Sequence, residues 1–236
     1  MGRNTLLVGV AVIIVVGAGA YFLTGRSESE PTPIATDAAA QPADAPSTDE
    51  SSGGGSGENW DAGITDFDAV LGDPSAPVTM IEYASFTCPH CAAFHTETLP
   101  ELKERFVDTG QLKIVFRDFP LDGVALQAGL LARCVPDDQY FDVVNVLFDT
   151  QRQWATAEDP SEALSRIGQM AGLEQSTIDA CLDDREMADR LVALREAGAT
   201  QYDISSTPSF VIEGETHAGA LPLEDFVALI EEAAAD

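Results

Sequence analysis

The sequence predicts a mixed α/β fold, because strand patterns stand on both sides of a long helical stretch. Residues 78–84 and 112–119 are apolar runs rich in β-branched and aromatic side chains, and residues 209–218 form a strand hairpin near the end. Between them, residues 122–202 carry helical spacing almost throughout. Strands that flank helices in this order are typical of a sheet covered by helices.

The N-terminal segment predicts export from the cytoplasm. Residues 5–23 form an uncharged, mostly apolar run between Arg3 and Arg26, long enough to cross a bilayer as one helix. A cleaved secretory signal is the alternative, since a small-x-small site ends at Ala20. The apolar run continues past that site, which favours an uncleaved anchor within residues 1–26.

Residues 27–59 separate this segment from the rest of the chain. They are mainly Ser, Ala, Pro, Gly, Asp and Glu, with almost no apolar side chains to bury. This composition cannot offset the entropy lost on ordering, so it predicts a disordered tether reaching on the order of 30 Å. Residues 60–236 remain as one predicted domain, since about 175 residues are enough for a sizeable core.

Acidic residues dominate the charge of the chain. Asp and Glu number 40 against 12 Lys and Arg, which gives a formal net charge of −28. No basic residue lies between Arg26 and Lys103. This excess disfavours nucleic acid and anionic membrane surfaces as partners. It says little about chemistry, since a saline habitat and simple solubility both favour acidic surfaces.

Two cysteines stand where the first strand pattern gives way to a helix. Cys88 is expected at the helix N-cap and Pro89 at the first helical position, where its missing N–H costs nothing. Free backbone N–H groups at that end favour an anion, and His90 adds a cation beside the sulfurs. Cys91 lies one turn on, within disulfide reach of Cys88. An acidic thiol beside a partner thiol predicts thiol–disulfide exchange.

A zinc site is the alternative interpretation of this cysteine pair, with His95 as a third ligand. The sequence contains no second Cys-x-x-Cys motif and no histidine pair. An exported domain is also exposed to oxidation rather than kept reduced, which favours redox chemistry. Otherwise His95 and His217 are expected to be structural or solvent-facing, and plain exposure is the alternative for His90.

The helical pattern after Cys91 ends near Gly110 and contains Pro100, which should kink the helix or remove one hydrogen bond. A strand pattern follows at residues 112–119, and Pro120 ends it. Candidate helices then cover residues 124–135, 139–151, 161–171, 176–182 and 185–199. Four aromatic side chains of this region are expected in the core: Tyr140, Phe141, Phe148 and Trp154.

The last part of the chain returns to strand. Residues 209–212 and 216–218 are short strand patterns joined by a turn at residues 213–215. Pro222 then starts a last helix with one apolar face. These elements complete the predicted α/β arrangement.

Residues 82–91, Glu-Tyr-Ala-Ser-Phe-Thr-Cys-Pro-His-Cys, resemble the active-site segment of the DsbA-like thiol:disulfide oxidoreductases. The resemblance runs from about Ile64 to the C-terminus and includes Thr207-Pro208 before a short apolar strand. A lone Cys-x-x-Cys is a weak signal, whereas strand, tetrad, helix and late Thr-Pro in this order are specific. The family has a thioredoxin fold with a helical insertion, which the resemblance places at about residues 122–202.

The resemblance implies roles for residues around the tetrad. Glu82 would be a buried acid that exchanges protons with the Cys91 thiol, the alternative being a solvated position at a strand edge. Pro208 would be cis and lie against Cys88, with the backbone of Thr207 presented to a substrate strand. Threonine before this proline departs from the best-known oxidases and is seen in some isomerases.

Cys134 and Cys181 both fall in the predicted insertion. In an oxidising compartment a second disulfide is favoured over two unpaired cysteines, and some alphaproteobacterial DsbA-like proteins resemble this arrangement. Such a bond would be structural. It would remove about 4 kcal/mol of unfolded-state entropy in the simple loop-closure model.

Together these features predict a membrane-tethered protein-disulfide oxidase on the periplasmic side of the bacterial inner membrane. A thiolate of an exported, unfolded polypeptide would attack Cys88, and a second substrate thiolate would displace it. The resemblance implies reoxidation by a quinone-linked membrane oxidase of the DsbB type. We expect a monomer that needs no bound metal or organic cofactor.

Two other hypotheses stay open. An isomerase or reductase of the same fold is favoured by Thr207 and disfavoured because only the tether precedes the catalytic domain, where a dimerisation domain would lie. A copper or zinc carrier that uses Cys88, Cys91 and a histidine would hold stoichiometric metal.

Overall fold

The computed structural model describes residues 62–235. The predicted anchor or signal within residues 1–26 and the predicted tether over residues 27–59 lie outside this range. Of the helices within residues 62–235, none combines the length and the apolar character needed to cross a membrane.

Five strands of the described chain form one mixed sheet in the order β1-β3-β2-β4-β5. The strands are β1 (Ala69–Leu71), β2 (Val78–Ala84), β3 (Leu112–Asp118), β4 (Ser209–Ile212) and β5 (Glu215–Ala218). β2 and β3 are parallel, whereas β1, β4 and β5 each pair antiparallel with their neighbours. The predicted strands and the mixed α/β class are confirmed. The three-residue strand β1 was not predicted, because it is too short to show a period.

Residues of β2 point alternately to the two faces of the sheet. Met80 packs in a core cluster with the helix that follows the tetrad, and Ile81 and Tyr83 pack in another on the opposite face. All seven residues of β2 are buried, as expected for a central strand covered on both faces. Since β2 and β3 are parallel, Ala84 and Asp118 end at the same edge of the sheet. The cysteine tetrad follows at that edge.

The helical run after β2 contains two π-helical turns. It comprises α1 (Pro89–Ala93), a π turn (Phe94–Thr98), α2 (Leu99–Leu102) and a second π turn (Lys103–Val107). Pro100 lies in α2, and the backbone N–H of Leu99 bonds to the Phe94 carbonyl, five residues back. The predicted disturbance therefore appears as widened turns around Pro100, which has no N–H to offer.

Six α-helices of the described chain lie between β3 and β4. They are α3 (Gly123–Ala132), α4 (Tyr140–Asp149), α5 (Gln151–Ala155), α6 (Pro160–Met170), α7 (Gln175–Leu182) and α8 (Arg185–Gln201). A 3₁₀ turn (Asp137–Gln139) precedes α4. The predicted helices are confirmed, but residues 139–151 are not one helix. At the break, the Thr150 hydroxyl donates to the Val146 carbonyl at 2.6 Å, which competes with the backbone ladder.

The insertion and the sheet share a core next to the tetrad. Phe86 stacks on Phe148 at 5.0 Å between ring centroids and lies 5.6 Å from Phe116 of β3. Tyr140, Phe148 and Trp154 are buried as predicted. Phe141 is partly buried and packs against the same cluster, so it lies at the edge of the predicted core.

A disulfide joins Cys134, just after α3, to Cys181 in α7. The two residues are 47 positions apart, and their Cα atoms lie 6.1 Å from each other. The bond therefore closes a loop that contains α4, α5 and α6, at a distance in sequence from the tetrad.

The C-terminal hairpin turns through two residues. Glu213 has φ 44° and Gly214 has φ 87°, the pair of positive φ angles that a tight type I′ turn requires. Glu215 therefore belongs to β5 and not to the turn. The last helix, α9 (Leu223–Ala233), begins one residue later than predicted, with Pro222 at its N-cap.

Candidate active site

The tetrad begins at the junction between β2 and α1. Cys88 is the N-cap of α1, in an extended conformation at φ −79° and ψ 119°, and Pro89 is the first helical residue. The Cys88 backbone N–H donates to the Ser85 carbonyl at 3.0 Å, which closes the turn between strand and helix. Cys88 is 7% exposed and Cys91 is fully buried, so Cys88 is the sulfur open to attack. Both are free cysteines.

The surroundings of Cys88 stabilise its thiolate. The Cys91 thiol, which donates to the Cys88 sulfur, makes the largest contribution and lowers the pKa of Cys88 to about 5. Burial opposes the shift, and the backbone N–H groups of Cys91 and His90 add to it. The ring of His90 is exposed. In this geometry His90 therefore acts on the sulfur through its backbone, whereas the sequence suggested its ring.

The surroundings of Cys91 act in the opposite direction. Burial raises the pKa of the Cys91 thiol far above its usual range, since a thiolate would have no water there. Its hydrogen bond to Cys88 and the negative charge of Glu82 raise the pKa further. The pair therefore consists of one thiol that ionises readily and one that holds its proton.

The loop before β4 packs against the first sulfur. The Thr207–Pro208 peptide bond is cis. Cys88 Sγ donates to the Thr207 carbonyl oxygen at 3.2 Å, although the two residues are 119 positions apart in sequence. Thr207 and Pro208 thus lie at the tetrad, where the resemblance places them.

Glu82 lies on the face of β2 that carries Met80, behind the cysteines. It is fully buried, which excludes the solvated position at a strand edge. Its two carboxylate oxygens lie 3.0 and 3.1 Å from Nε2 of His95. His95 is also buried, at 6% exposure, and joins the site as the partner of Glu82. The sequence offered a hint, since His95 is one helical turn after Cys91, but not the pairing.

The insertion holds the turn that carries Cys88. The side-chain amide of Gln151 donates to the Phe86 carbonyl at 2.8 Å and to the Cys88 carbonyl at 2.9 Å. The Thr87 hydroxyl donates to Asp122 Oδ2 at 2.7 Å, and Asp122 also caps α3. Neither contact could be inferred from sequence, because each joins residues 35 or more positions apart without a motif.

The structure brings seven of the nine predicted site residues together: Glu82, Cys88, Pro89, His90, Cys91, Thr207 and Pro208. Cys134 and Cys181 form their own bond in the insertion. Within residues 62–235, no cluster of three or more His, Cys, Asp or Glu side chains is placed to hold a metal ion.

Comparison with known proteins agrees with this geometry. A model of the family described as Thioredoxin matches residues 65–232. A Rickettsia prowazekii protein named "Putative protein-disulfide oxidoreductase" is 35% identical over 152 residues, which cover 64% of this chain and 56% of that protein. The chain thus spans little more than half the length of this curated relative.

Solved structures extend the likeness over nearly the whole length of the neighbours. The crystal structure of Wolbachia pipientis alpha-DsbA1 is 32% identical with a TM-score of 0.67, and the match covers 73% of this chain and 93% of that one. The crystal structure of a protein-disulfide isomerase from Novosphingobium aromaticivorans is 27% identical with a TM-score of 0.64, over 73% of this chain and 100% of that one. From the family match, these neighbours and the tetrad with its late Thr-Pro, the chain belongs to the DsbA-like thiol:disulfide oxidoreductases of the thioredoxin superfamily.

Proposed function

We propose that the chain is a protein-disulfide oxidase that introduces disulfide bonds into exported polypeptides by exchange at Cys88 and Cys91. The observation that carries the proposal is the opposed ionisation of the two sulfurs. The pKa of Cys88 is lowered to about 5, while burial raises the pKa of Cys91. A pair built in this way favours its reduced form, and a protein with a stable reduced form gives its disulfide to others.

The geometry supports a two-step exchange. A substrate thiolate attacks Cys88, the more exposed sulfur, and the Cys88–Cys91 bond breaks with Cys91 as leaving group. Cys91 takes up a proton, in keeping with its raised pKa. A second substrate thiolate then attacks the substrate sulfur of the mixed disulfide, and Cys88 leaves as a thiolate. Two electrons have passed to the cysteine pair, and the substrate carries a new disulfide.

The proposed role of the Thr207 loop is to present backbone to the substrate. The Thr207 carbonyl lies 3.2 Å from Cys88 Sγ, so a polypeptide bound at this sulfur would pass beside that backbone. Contacts between backbones do not depend on the side chains of the substrate, which suits an enzyme with many unfolded substrates. Proposed substrates are exported, unfolded polypeptides with free thiols.

We place this activity on the periplasmic side of the inner membrane, with residues 1–26 as the anchor or signal. The reduced pair must be reoxidised after each turnover, and the family resemblance favours a quinone-linked membrane oxidase of the DsbB type. The proposed enzyme acts as a monomer. Labelling of intact and permeabilised cells with a thiol reagent that cannot cross membranes would test the compartment.

The direction of exchange is testable with a polypeptide that carries two cysteines. The oxidised full-length chain, mixed with the reduced polypeptide in equal amounts, should convert nearly all of it to the disulfide form. Alkylation of the remaining thiols and mass spectrometry would count them. A polypeptide that stays reduced, together with reduction of its disulfide by the reduced chain, would instead support a reductase.

Isomerase activity is a second candidate, favoured by Thr207 before the cis proline and by the Novosphingobium neighbour described as an isomerase. An isomerase acts in its reduced form and rearranges wrongly paired disulfides without net oxidation. Incubation of the reduced chain with a scrambled four-cysteine protein separates the two activities. The oxidase proposal predicts no change in the scrambled disulfides under these conditions, because a pair with a stable reduced form is a poor reductant.

A further inference from the structure

His95 and Glu82 form a buried pair whose use is not explained by packing. Their side chains are 2% and 1% exposed, and His95 Nε2 meets both carboxylate oxygens. The second ring nitrogen of His95, Nδ1, is buried without a hydrogen-bond partner in the part of the chain that the structure describes. Leaving a buried polar atom unpaired is costly, whereas an apolar side chain would fill the space at no such cost.

Aromatic rings fix the orientation of the imidazole. His95 stacks on Phe148 at 4.1 Å between ring centroids, with 25° between the planes. Phe94 and Phe116 meet it edge-on at 5.6 and 5.8 Å. The ring is therefore held with one nitrogen on Glu82 and has little freedom to turn the other toward it.

His95 also lines a cavity of about 290 Å³. Part of its lining consists of four exposed polar or charged side chains: Thr96, Lys103, Asn145 and Asp149. The cavity therefore opens to solvent and can hold several water molecules. On the other side of the pair, the charge of Glu82 acts on the Cys91 thiol. His95 thus contacts Glu82 and also lines the cavity, and the charge of Glu82 acts on the buried Cys91 thiol.

We propose that His95 is a positioning residue that passes protons between Glu82 and water in this cavity while Cys91 enters or leaves its disulfide. The inference rests on the proposed exchange reaction and names the route of its proton. When a substrate thiolate attacks Cys88, the Cys88–Cys91 bond breaks and Cys91 leaves with the electron pair. His95 Nε2 gives its proton to the Glu82 carboxylate, Glu82 passes a proton to the leaving Cys91 sulfur, and His95 Nδ1 takes up a proton from water in the cavity.

Other charged groups face this pair from several elements. Lys103 in the second π turn and Asp149 at the end of α4 line the cavity with His95. On the inner side, the charge of Glu82 also acts on Tyr140 and raises the pKa of its phenol, after burial and the charge of Asp118. None of these groups is itself altered in a His95 variant, so a change in pH dependence can be assigned to the loss of the imidazole.

The test compares His95→Gln with His217→Gln in the full-length chain. Glutamine keeps a donor for Glu82 but cannot pass a proton. His217 lies on the edge strand β5, where Phe210 of β4 separates it from Glu82. The oxidised chain is mixed with dithiothreitol at pH values between 5 and 9, and samples are quenched at intervals. These time courses give the rate at which the Cys88–Cys91 disulfide is reduced. We expect His95→Gln to slow this step by roughly 10- to 100-fold and to flatten its pH profile, with His217→Gln unchanged.

Chemical rescue distinguishes proton transfer from support of the fold. In His95→Ala the emptied space joins the cavity, so added imidazole should restore the rate several-fold, whereas sodium chloride at equal ionic strength should not. A wild-type rate and pH profile in His95→Gln would overturn the proposal. So would a slow His95→Ala that imidazole does not speed. The dithiothreitol rates do not depend on the direction in which polypeptides are processed, so failure of the oxidase proposal would be seen separately.

Discussion

The chain carries two cysteine pairs, and they lie in different parts of the fold. Cys88 and Cys91 lie at the N-terminus of α1, where backbone N–H groups and a neighbouring thiol lower the pKa of Cys88. Cys134 and Cys181 are 47 positions apart and join separate parts of the insertion. The comparison teaches that the place of a cysteine in the fold, and not its presence, decides whether its disulfide is exchanged or kept.

Replacement of the nucleophile should have the largest effect. Cys88→Ser removes the proposed attacked sulfur, so polypeptide oxidation should fall by more than about 1,000-fold. Cys91→Ser cannot form the exchangeable disulfide, but its Cys88 thiolate should attack a polypeptide that carries a disulfide and stay joined to it as a mixed disulfide, visible on non-reducing gels. In the matched double variant Cys134→Ser/Cys181→Ser, activity should stay within about threefold. A comparable loss in that variant would contradict the division of roles.

Removal of the Cys134–Cys181 disulfide should lower the free energy of unfolding. The bond closes a 47-residue loop, for which the loop-closure model gives about 4 kcal/mol. Urea unfolding of Cys134→Ser/Cys181→Ser, with the full-length chain as reference, should show a free energy of unfolding lower by up to that amount. An unchanged unfolding midpoint would show that packing between α3 and α7 suffices without the bond.

The reduced chain should be more stable than the oxidised one near neutral pH. Because the pKa of Cys88 is lowered to about 5 in the fold, its thiolate adds stability that is complete above the pKa of the unfolded thiol and is lost as pH falls through 5. At pH 7 this amounts to about 2–3 kcal/mol. Denaturant unfolding of both redox forms at pH 7 and pH 4.5 would measure the difference, which should vanish at the lower pH.

Loss of the Gln151 hydrogen bonds to the turn that carries Cys88 should have the smallest effect. Gln151→Ala leaves the Phe86 and Cys88 carbonyls without their side-chain donor, which should cost about 1–3 kcal/mol. Because Gln151 makes no contact with the sulfurs themselves in these bonds, the Cys88 thiolate should still titrate near 5. Absorbance at 240 nm follows that titration. The matched control is Gln153→Ala, which changes an exposed glutamine two residues further along α5.

Local patterns predicted the elements that place Cys88. The apolar run of β2, Pro89 at the first helical position and the strand after Gly110 are all encoded by neighbours in sequence, and the structure confirms them. The helices of the insertion followed from spacing for the same reason. The predicted helix boundaries were wrong where a side chain competes with the backbone for a hydrogen bond, as Thr150 does at the break between α4 and α5.

The contacts that tune the site could not be predicted in the same way. Glu82 and His95 are 13 positions apart on a strand and a helix, and only their packing brings the imidazole onto the carboxylate. Gln151 reaches Cys88 from 63 positions away. Both depend on how the insertion and α1 lie against the sheet, which no local period records.

The most direct test of the account is the reduction potential of the Cys88–Cys91 pair, measured in the full-length chain against glutathione. Stabilisation of the Cys88 thiolate predicts a strongly oxidising value of about −120 mV, as in the best-known DsbA protein. The Cys134–Cys181 bond should stay oxidised throughout the titration. A value for Cys88–Cys91 near about −270 mV, like that of thioredoxin, would contradict the oxidase proposal.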